Sequence, residues 1–428
     1  MDNSIATASR NVFRIKRRKY THYGFRALQK VVGEAADDAA NALFLYPRFE
    51  SAAELGDVLN RLAWYLPEPT RRPDLVVRVP ADPDVLAGAH DRTPDAQAAY
   101  DTERLPLERV AAGDEAAAAR RADKVLAWDA SGVVGSTGIR NLGKVEIVDP
   151  AYWSTYPVDT WERLSGALRV PDEDPSAERF AELARSAADY DEAFVFATGP
   201  SLSEATDYEF PDDSLKIICN SIVRDDELLA HLEPDVLTFA DPVFHFGPNR
   251  YADTFRGDAL DVLRTYDCVG VVPPEYRTLL AGHYGSDLPL VGVDRVRDWS
   301  PNFPSAEDLR VWATGNIMTL YMLPIASALV DDVYVVGADG REEDESYFWE
   351  HDDDAQYDDE LMRTVADTHP SFFRDRIYED YYQRHVEILT EMIEYGERRG
   401  VDYHSLTHSY VPCLRERRVE GLPGTASS

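Results

Sequence analysis

The chain has 428 residues, 44% of them hydrophobic, and a formal net charge of −34 from 78 acidic and 44 basic residues. That length and apolar content exclude wholesale disorder and leave room for two domains. The charge argues against nucleic acid, which needs a basic footprint, and three scattered cysteines, Cys219, Cys268 and Cys413, exclude a disulfide framework or a zinc site.

Only six of the basic residues are lysines, at 16, 19, 30, 124, 144 and 216. An acidic, lysine-poor surface fits a soluble protein of a high-salt, halophilic cytoplasm, where salt screens the self-repulsion. No apolar run approaches the ~20 residues of a membrane span, and the N-terminus lacks an apolar signal-peptide core. The expected location is cytoplasmic.

Residues 1–35 form a basic arm. Between Arg10 and Lys30, Arg10, Arg14, Lys16, Arg17, Arg18, Lys19, Arg26 and Lys30 occur without one Asp or Glu. Phe13, Ile15, Tyr20, Tyr23, Phe25 and Leu28 are interleaved. Such a segment can lie on an anionic membrane surface, which would make the protein peripheral on the cytoplasmic face. It can equally be a solvated tail or pack against the acidic body.

Residues 40–155 read as a small α/β domain. Ala42 to Tyr46, Leu75 to Val79, Lys124 to Trp128 and Val145 to Val148 are strand candidates, and Ala53 to Leu66 has helical spacing of its leucines. Pro80 to Arg121 reads as surface loop apart from a helix within Ala111 to Ala122. The Gly-rich stretch Ser131 to Gly138 lacks the lysine of a phosphate loop, so a flexible connection is expected. Residues 171–190 are an acidic, proline-bounded linker and a lead-in helix.

The second domain, residues 191–414, opens on Phe194-Val195-Phe196-Ala197-Thr198-Gly199-Pro200-Ser201. An apolar strand runs into a turn in which Gly199 permits unusual backbone angles and Pro200 fixes its own φ. Ser201 and the local N–H groups are then free to meet an anion. Strand candidates at Lys216 to Ser221, Asp235 to Pro242 and Val333 to Asp339 also end in polar residues, and Thr314-Gly315-Asn316 precedes an apolar helix from Ile317 to Leu329. Polar strand ends and one helix start would gather in a crevice beyond the sheet. The acidic run after Asp339 reads as a solvated loop. A long amphipathic helix spans about Asp375 to Arg399, Tyr403 to Leu406 is a late strand, and residues 415–428 are a tail.

The order Gly-Pro-Ser-Leu, Cys-Asn-Ser, Ala-Asp-Pro, Thr-Gly-Asn and Val-Val-Gly-Ala-Asp, followed by Ser-Tyr-Phe, resembles the bacterial sialyltransferases of glycosyltransferase family 42. It also resembles the related motility accessory factor transferases, over about residues 191–414. The resemblance implies a Rossmann-like parallel-sheet domain preceded by the smaller α/β domain. It implies transfer of a nonulosonic acid from a CMP-sugar donor to a glycan or lipid-linked glycan, with no metal and no cofactor. Thr198, Gly199, Ser201, Asn220, Ser221, Asp241, Thr314 and Gly315 would hold the nucleotide. Thr198 and Asp241 stand where the family has Asn. Tyr347 would donate to the departing phosphate, and Arg341 replaces a second family tyrosine. His369, just before the last long helix, occupies the place of the family's general base, with His385 as the fallback. Two rivals remain. The same Gly-Pro-Ser region resembles a pterin pyrophosphokinase family that would use ATP and Mg²⁺, and a glycan-binding scaffold would keep the fold without turnover.

Overall fold

In the computed structural model the first apolar run forms strand β1, Ala42–Tyr46, whose central residues are fully buried. The structure describes residues 24–25, 27–29, 40–92, 94–128, 132–148, 156–170, 173–297, 300–341, 357–370 and 378–422. β2 (Val76–Pro80), β3 (Leu107–Val110), β4 (Lys124–Ala127) and β5 (Val145–Ile147) complete a five-stranded sheet in the order β3-β2-β1-β4-β5. Every pairing in it is parallel. The helix Ala52–Tyr65 joins β1 to β2 and buries Leu55, Val58, Leu59 and Leu62, the stripe its sequence spacing predicts.

The stretch expected to be mostly loop, Pro80 to Arg121, contains both a helix, Pro83–His90, and β3. β3 escaped notice because it is a four-residue edge strand, Leu-Glu-Arg-Val, with both charges exposed. Within the Gly-rich stretch, Val133–Thr137 is helical rather than a loose connection, and it buries Val133 and Thr137. Most of the basic arm lies outside the described residues. Its end does not: Phe25 is buried in the core cluster with Phe44, Val125 and Val145, and Gln29 Nε2 donates to Leu142 O (2.7 Å) and Val145 O (2.8 Å).

The second sheet has seven strands: β6 (Glu192–Phe196), β7 (Leu215–Cys219), β8 (Val236–Thr238), β9 (Val269–Val272), β10 (Leu290–Gly292), β13 (Asp332–Val336) and β14 (Asp402–Ser405). Their order is β10-β9-β8-β7-β6-β13-β14, all parallel. A separate two-stranded ribbon pairs β11 (Asp294–Val296) with β12 (Arg310–Trp312). β6 is buried on both faces, so its run reads as continuously apolar rather than alternating. Phe194 stacks on Tyr334 of β13 across the pairing Phe194↔Tyr334. Both sheets carry helices in the connections between parallel strands, a generic Rossmann-like α/β architecture.

The two compact units are interleaved in sequence. The first comprises residues 1–172, 242–253 and 360–376, and the second residues 173–241, 254–359 and 377–428. Two segments of the second half, residues 242–253 and 360–376, thus belong to the first unit. They are tied there by specific bonds. Trp64 Nε1 donates to Phe246 O (2.7 Å), Arg61 donates to Thr368 O (3.2 Å), and Tyr251 N donates to Thr364 Oγ1 (3.2 Å). The first unit also extends past residue 155, through Trp161 stacked on Tyr65.

Candidate functional site

The strand order of the second unit reverses between β6 and β13. From β6 the chain winds outward through β7 to β10; it then returns to place β13 and β14 on the other side. In open α/β sheets ligands gather outside the carboxyl ends of the strands at such a reversal. Here the loops at those ends are Ala197 to Ser201 and Gly337 to Arg341.

The two loops meet at Gly199. Its N–H donates to Gly337 O (2.8 Å), and a Cβ at this position would fall inside the Asp339 carboxylate and the Gly337 carbonyl. Gly199 itself has φ −75°, an ordinary value. The glycine is needed for close approach, not for the unusual backbone angle that the sequence alone led us to expect. Directly beyond it, Asp339 Oδ2 accepts from Ser201 N (3.1 Å) and Ser201 Oγ (3.0 Å). The turn Pro200–Asp207 thus presents its first donors to a carboxylate of the same chain. Burial raises the Asp339 pKa; the two bonds from Ser201 and the charge of His408 pull the other way.

Asn220 stands at the end of β7, the strand beside β6. Its φ is +49°, a left-handed conformation that costs most residues ~1–2 kcal/mol and Asn less. Strain of this kind persists where surrounding structure imposes it, and it gathers at ligand sites. Ser221 beside it is buried, as is Thr198 at the end of β6. Asp241 lies beyond β8, one strand further out, and is half-buried.

Thr314 and Gly315 precede the helix predicted from Ile317 to Leu329. Its first part, Met318–Met322, is wound as a π-turn and packs on β7; the rest, Leu323–Leu329, is α-helical. Asn316 Oδ1 accepts from Met318 N (2.9 Å), closing the helix start. Thr314 Oγ1 accepts from Thr319 Oγ1 at 3.0 Å. Gly315 lies so close to the Tyr381 ring that a Cβ would stand 2.9 Å from it.

Arg341 follows Asp339 by two residues and is buried, its guanidinium 4.6 Å from the centre of the Tyr382 ring. Tyr382 Oη also accepts from Arg341 N (3.2 Å). The sequence reading missed this Tyr381-Tyr382 pair, near the start of the helix Tyr378–Glu397. Its only signal was two adjacent aromatics in an otherwise charged helix start. Tyr347 lies outside the described residues.

His369 belongs to the first unit, whereas Gly199, Ser201, Asn220, Asp241, Thr314, Gly315 and Arg341 all belong to the second. Its ring is 1% exposed, and among the described residues neither nitrogen has a hydrogen-bond partner. Burial, helped by the Arg61 charge, pushes its pKa down to about 3. His385 is also buried, and burial takes it down to about 4. Neither imidazole is presented as an accessible proton acceptor, so the expected base was placed by its order in the chain and not by its surroundings.

No family model, curated protein or solved structure matches the chain. Among the described residues no group of three or more His, Cys, Asp or Glu is arranged to hold a metal ion, and no helix is long and apolar enough to cross a membrane. The cysteines are buried and unpaired; burial pushes Cys219 up to about 12, as suits a small core residue.

A second group escaped sequence reasoning. The segment after β14, Leu406 to Val411, is bonded to the Asp339 loop. Gly337 N donates to Thr407 Oγ1 (2.9 Å), Ser409 Oγ to Ala338 O (2.7 Å) and Tyr410 N to Asp339 O (2.7 Å). It brings His408 and Tyr410 to the same end of the sheet. The available signal was Thr-His-Ser-Tyr directly after a strand, small polar residues alternating with large ones.

Proposed function

We propose that the second unit is a nucleotide-sugar glycosyltransferase of the sialyltransferase type, taking a nonulosonic acid from a CMP donor to a glycan acceptor. One observation carries this reading. The Gly-Pro-Ser turn and the Asp339 loop close on each other where the strand order reverses, with the left-handed Asn220 at the neighbouring strand end. Open α/β sheets bind nucleotides at that place. Asn220 supplies both a donor and acceptors, the pattern a pyrimidine edge or ribose needs. Thr314 and Gly315 would complete the nucleotide site. Arg341, two residues beyond Asp339, supplies a fixed positive charge suited to charge developing on the leaving phosphate. The chemical step is an in-line displacement at the anomeric carbon with CMP as leaving group. An acceptor on a lipid-linked glycan fits a basic arm that rests on an anionic membrane.

A second reading has one observation in its favour. The carboxylate at the Gly-Pro-Ser turn is what a phosphate-bound Mg²⁺ would meet, since that ion commonly takes one or two carboxylates and draws its other ligands from phosphates and water. ATP-dependent pyrophosphoryl transfer would then use Asp339 to hold the ion.

A thermal-shift series with CMP, CDP, UDP, GDP and ATP, with and without Mg²⁺, separates the two. Under the first reading CMP at a hundred times its Kd stabilises by about 2.7 kcal/mol without metal. Asn220→Ala should remove most of that shift. Stabilisation by ATP alone, and only with Mg²⁺, would overturn the transferase.

A further inference from the structure

We propose that His408 is the general base of the transfer, a role that rests on the glycosyl-transfer reading above. The segment carrying it is fixed to β13 and to the Asp339 loop. β14 pairs with β13, and Leu406 N continues that ladder to Val335 O (2.9 Å). Tyr208 Oη, from the end of the Gly-Pro-Ser turn, donates to Leu406 O (3.1 Å). The three bonds from Gly337 N, Ser409 Oγ and Tyr410 N then join residues 407 to 410 to the Asp339 loop.

Within this segment the side chains alternate. Thr407 and Ser409 are 1% and 2% exposed and spend their hydroxyls on the loop bonds, while His408 between them is exposed. Its ring is held edge-on to Tyr410, 4.6 Å between centres, and it lies near enough to Asp339 for the charge of its protonated form to lower the pKa of that carboxyl. A solvated surface histidine has no such support. Here a reactive group sits on rigid backbone, with an aromatic wall and a carboxylate nearby. The other described histidines of the second unit are engaged elsewhere. His231 contacts Tyr208 O, His404 pairs with Asp332 at the start of β13, His385 is buried, and His283 lies against Tyr284 on the helix Pro274–Tyr284.

The step balances without a further reactant. The acceptor hydroxyl gives its proton to a ring nitrogen of His408 as its oxygen bonds to the anomeric carbon. The bond from that carbon to the phosphate oxygen breaks, its electron pair leaves with CMP, and the imidazolium later returns its proton to water.

The test uses the full chain, with His408→Ala and His408→Gln. Two quantities are measured: the thermal shift with CMP, and transfer from a CMP-nonulosonic acid to a membrane glycan extract. The expected result is an unchanged CMP shift and a 10²–10⁴-fold loss of transfer in both variants, the usual worth of general base catalysis. Added imidazole should restore part of the activity of His408→Ala. Wild-type transfer by either variant overturns the base while leaving the transferase standing. Loss of the CMP shift in both variants also overturns it, by making His408 a binding residue. A wild-type protein that neither responds to CMP nor transfers removes the transferase reading, and this inference with it.

Discussion

Gly199→Ala tests the geometry on which the candidate site depends. The new Cβ would overlap the Asp339 carboxylate and the Gly337 carbonyl, both held by the sheet ends. The Asp339 carboxylate could swing aside, but the Gly337 carbonyl is backbone, so the two loops must move apart. Forcing one extra carbon into such a place costs about 1–3 kcal/mol. Parting the loops also weakens the two bonds from Ser201 to Asp339, for a further ~1 kcal/mol after allowance for the partial exposure of that carboxylate. The total is about 2–4 kcal/mol. At roughly 2–4 °C per kcal/mol for a unit of this size, the melting temperature should fall by about 5–15 °C. The control is Gly257→Ala, in the interior of the helix Arg250–Thr265, where a Cβ meets nothing within 4 Å. That change should stabilise by ~0.5–1 kcal/mol. The assay is thermal unfolding of the three proteins side by side in one buffer. A Gly199→Ala protein as stable as wild type would refute the close contact between the two loops.

Two further outcomes are expected. Folding holds His369 neutral down to about pH 3, while the unfolded chain protonates it near 6.5. Above pH 6.5 it is neutral in both states and contributes no pH dependence. Below that value the unfolded state binds the extra proton, so stability falls as pH drops, by about 2 kcal/mol at pH 5. Urea denaturation at pH 7 and pH 5 should therefore show a smaller loss for His369→Leu than for wild type, and equal losses would contradict the buried neutral ring. For the arm, deletion of residues 1–22 should abolish binding to anionic vesicles with little change in stability. Phe25→Ala should cost about 3 kcal/mol, because that ring is part of the first unit's core. A stable Phe25→Ala protein, or vesicle binding unaffected by the deletion, would count against the respective assignment.

The central strands were legible because a parallel strand covered on both faces leaves an unbroken apolar run, as in Phe194 to Phe196 and Val333 to Val336. β9 and β10 were not. Each is three or four residues long, contains a glycine and lies close to a proline, so no window of usable length stands out. Gly199, Ser201, Asn220 and the carboxylate after β13 were legible as polar strand ends. What brings Asp339 onto Ser201, 138 residues away in the chain, is the adjacency of β6 and β13, and local pattern carries no trace of that. His369 shows the complementary case. Its order before the last long helix matched the resemblance, but burial against the first unit depends on contacts with Arg61 that lie far off in sequence. His408 could have been read only by recognising that Thr407 and Ser409 turn inward.

The interleaving of the units governs how the protein can be made. On a ribosome the first unit has its whole sheet by residue 147, yet the partners of Trp64 and Arg61 have not been synthesised. Phe246 arrives almost a hundred residues later, and Thr368 only when most of the chain has emerged. Until then the buried guanidinium of Arg61 has Asp57 but not the carbonyl that completes its shell. The nascent amino-terminal half must therefore wait, incompletely sealed, while the second sheet is translated. Cutting the gene at the apparent linker near residue 172 would yield two products, each lacking pieces of itself or carrying pieces of the other.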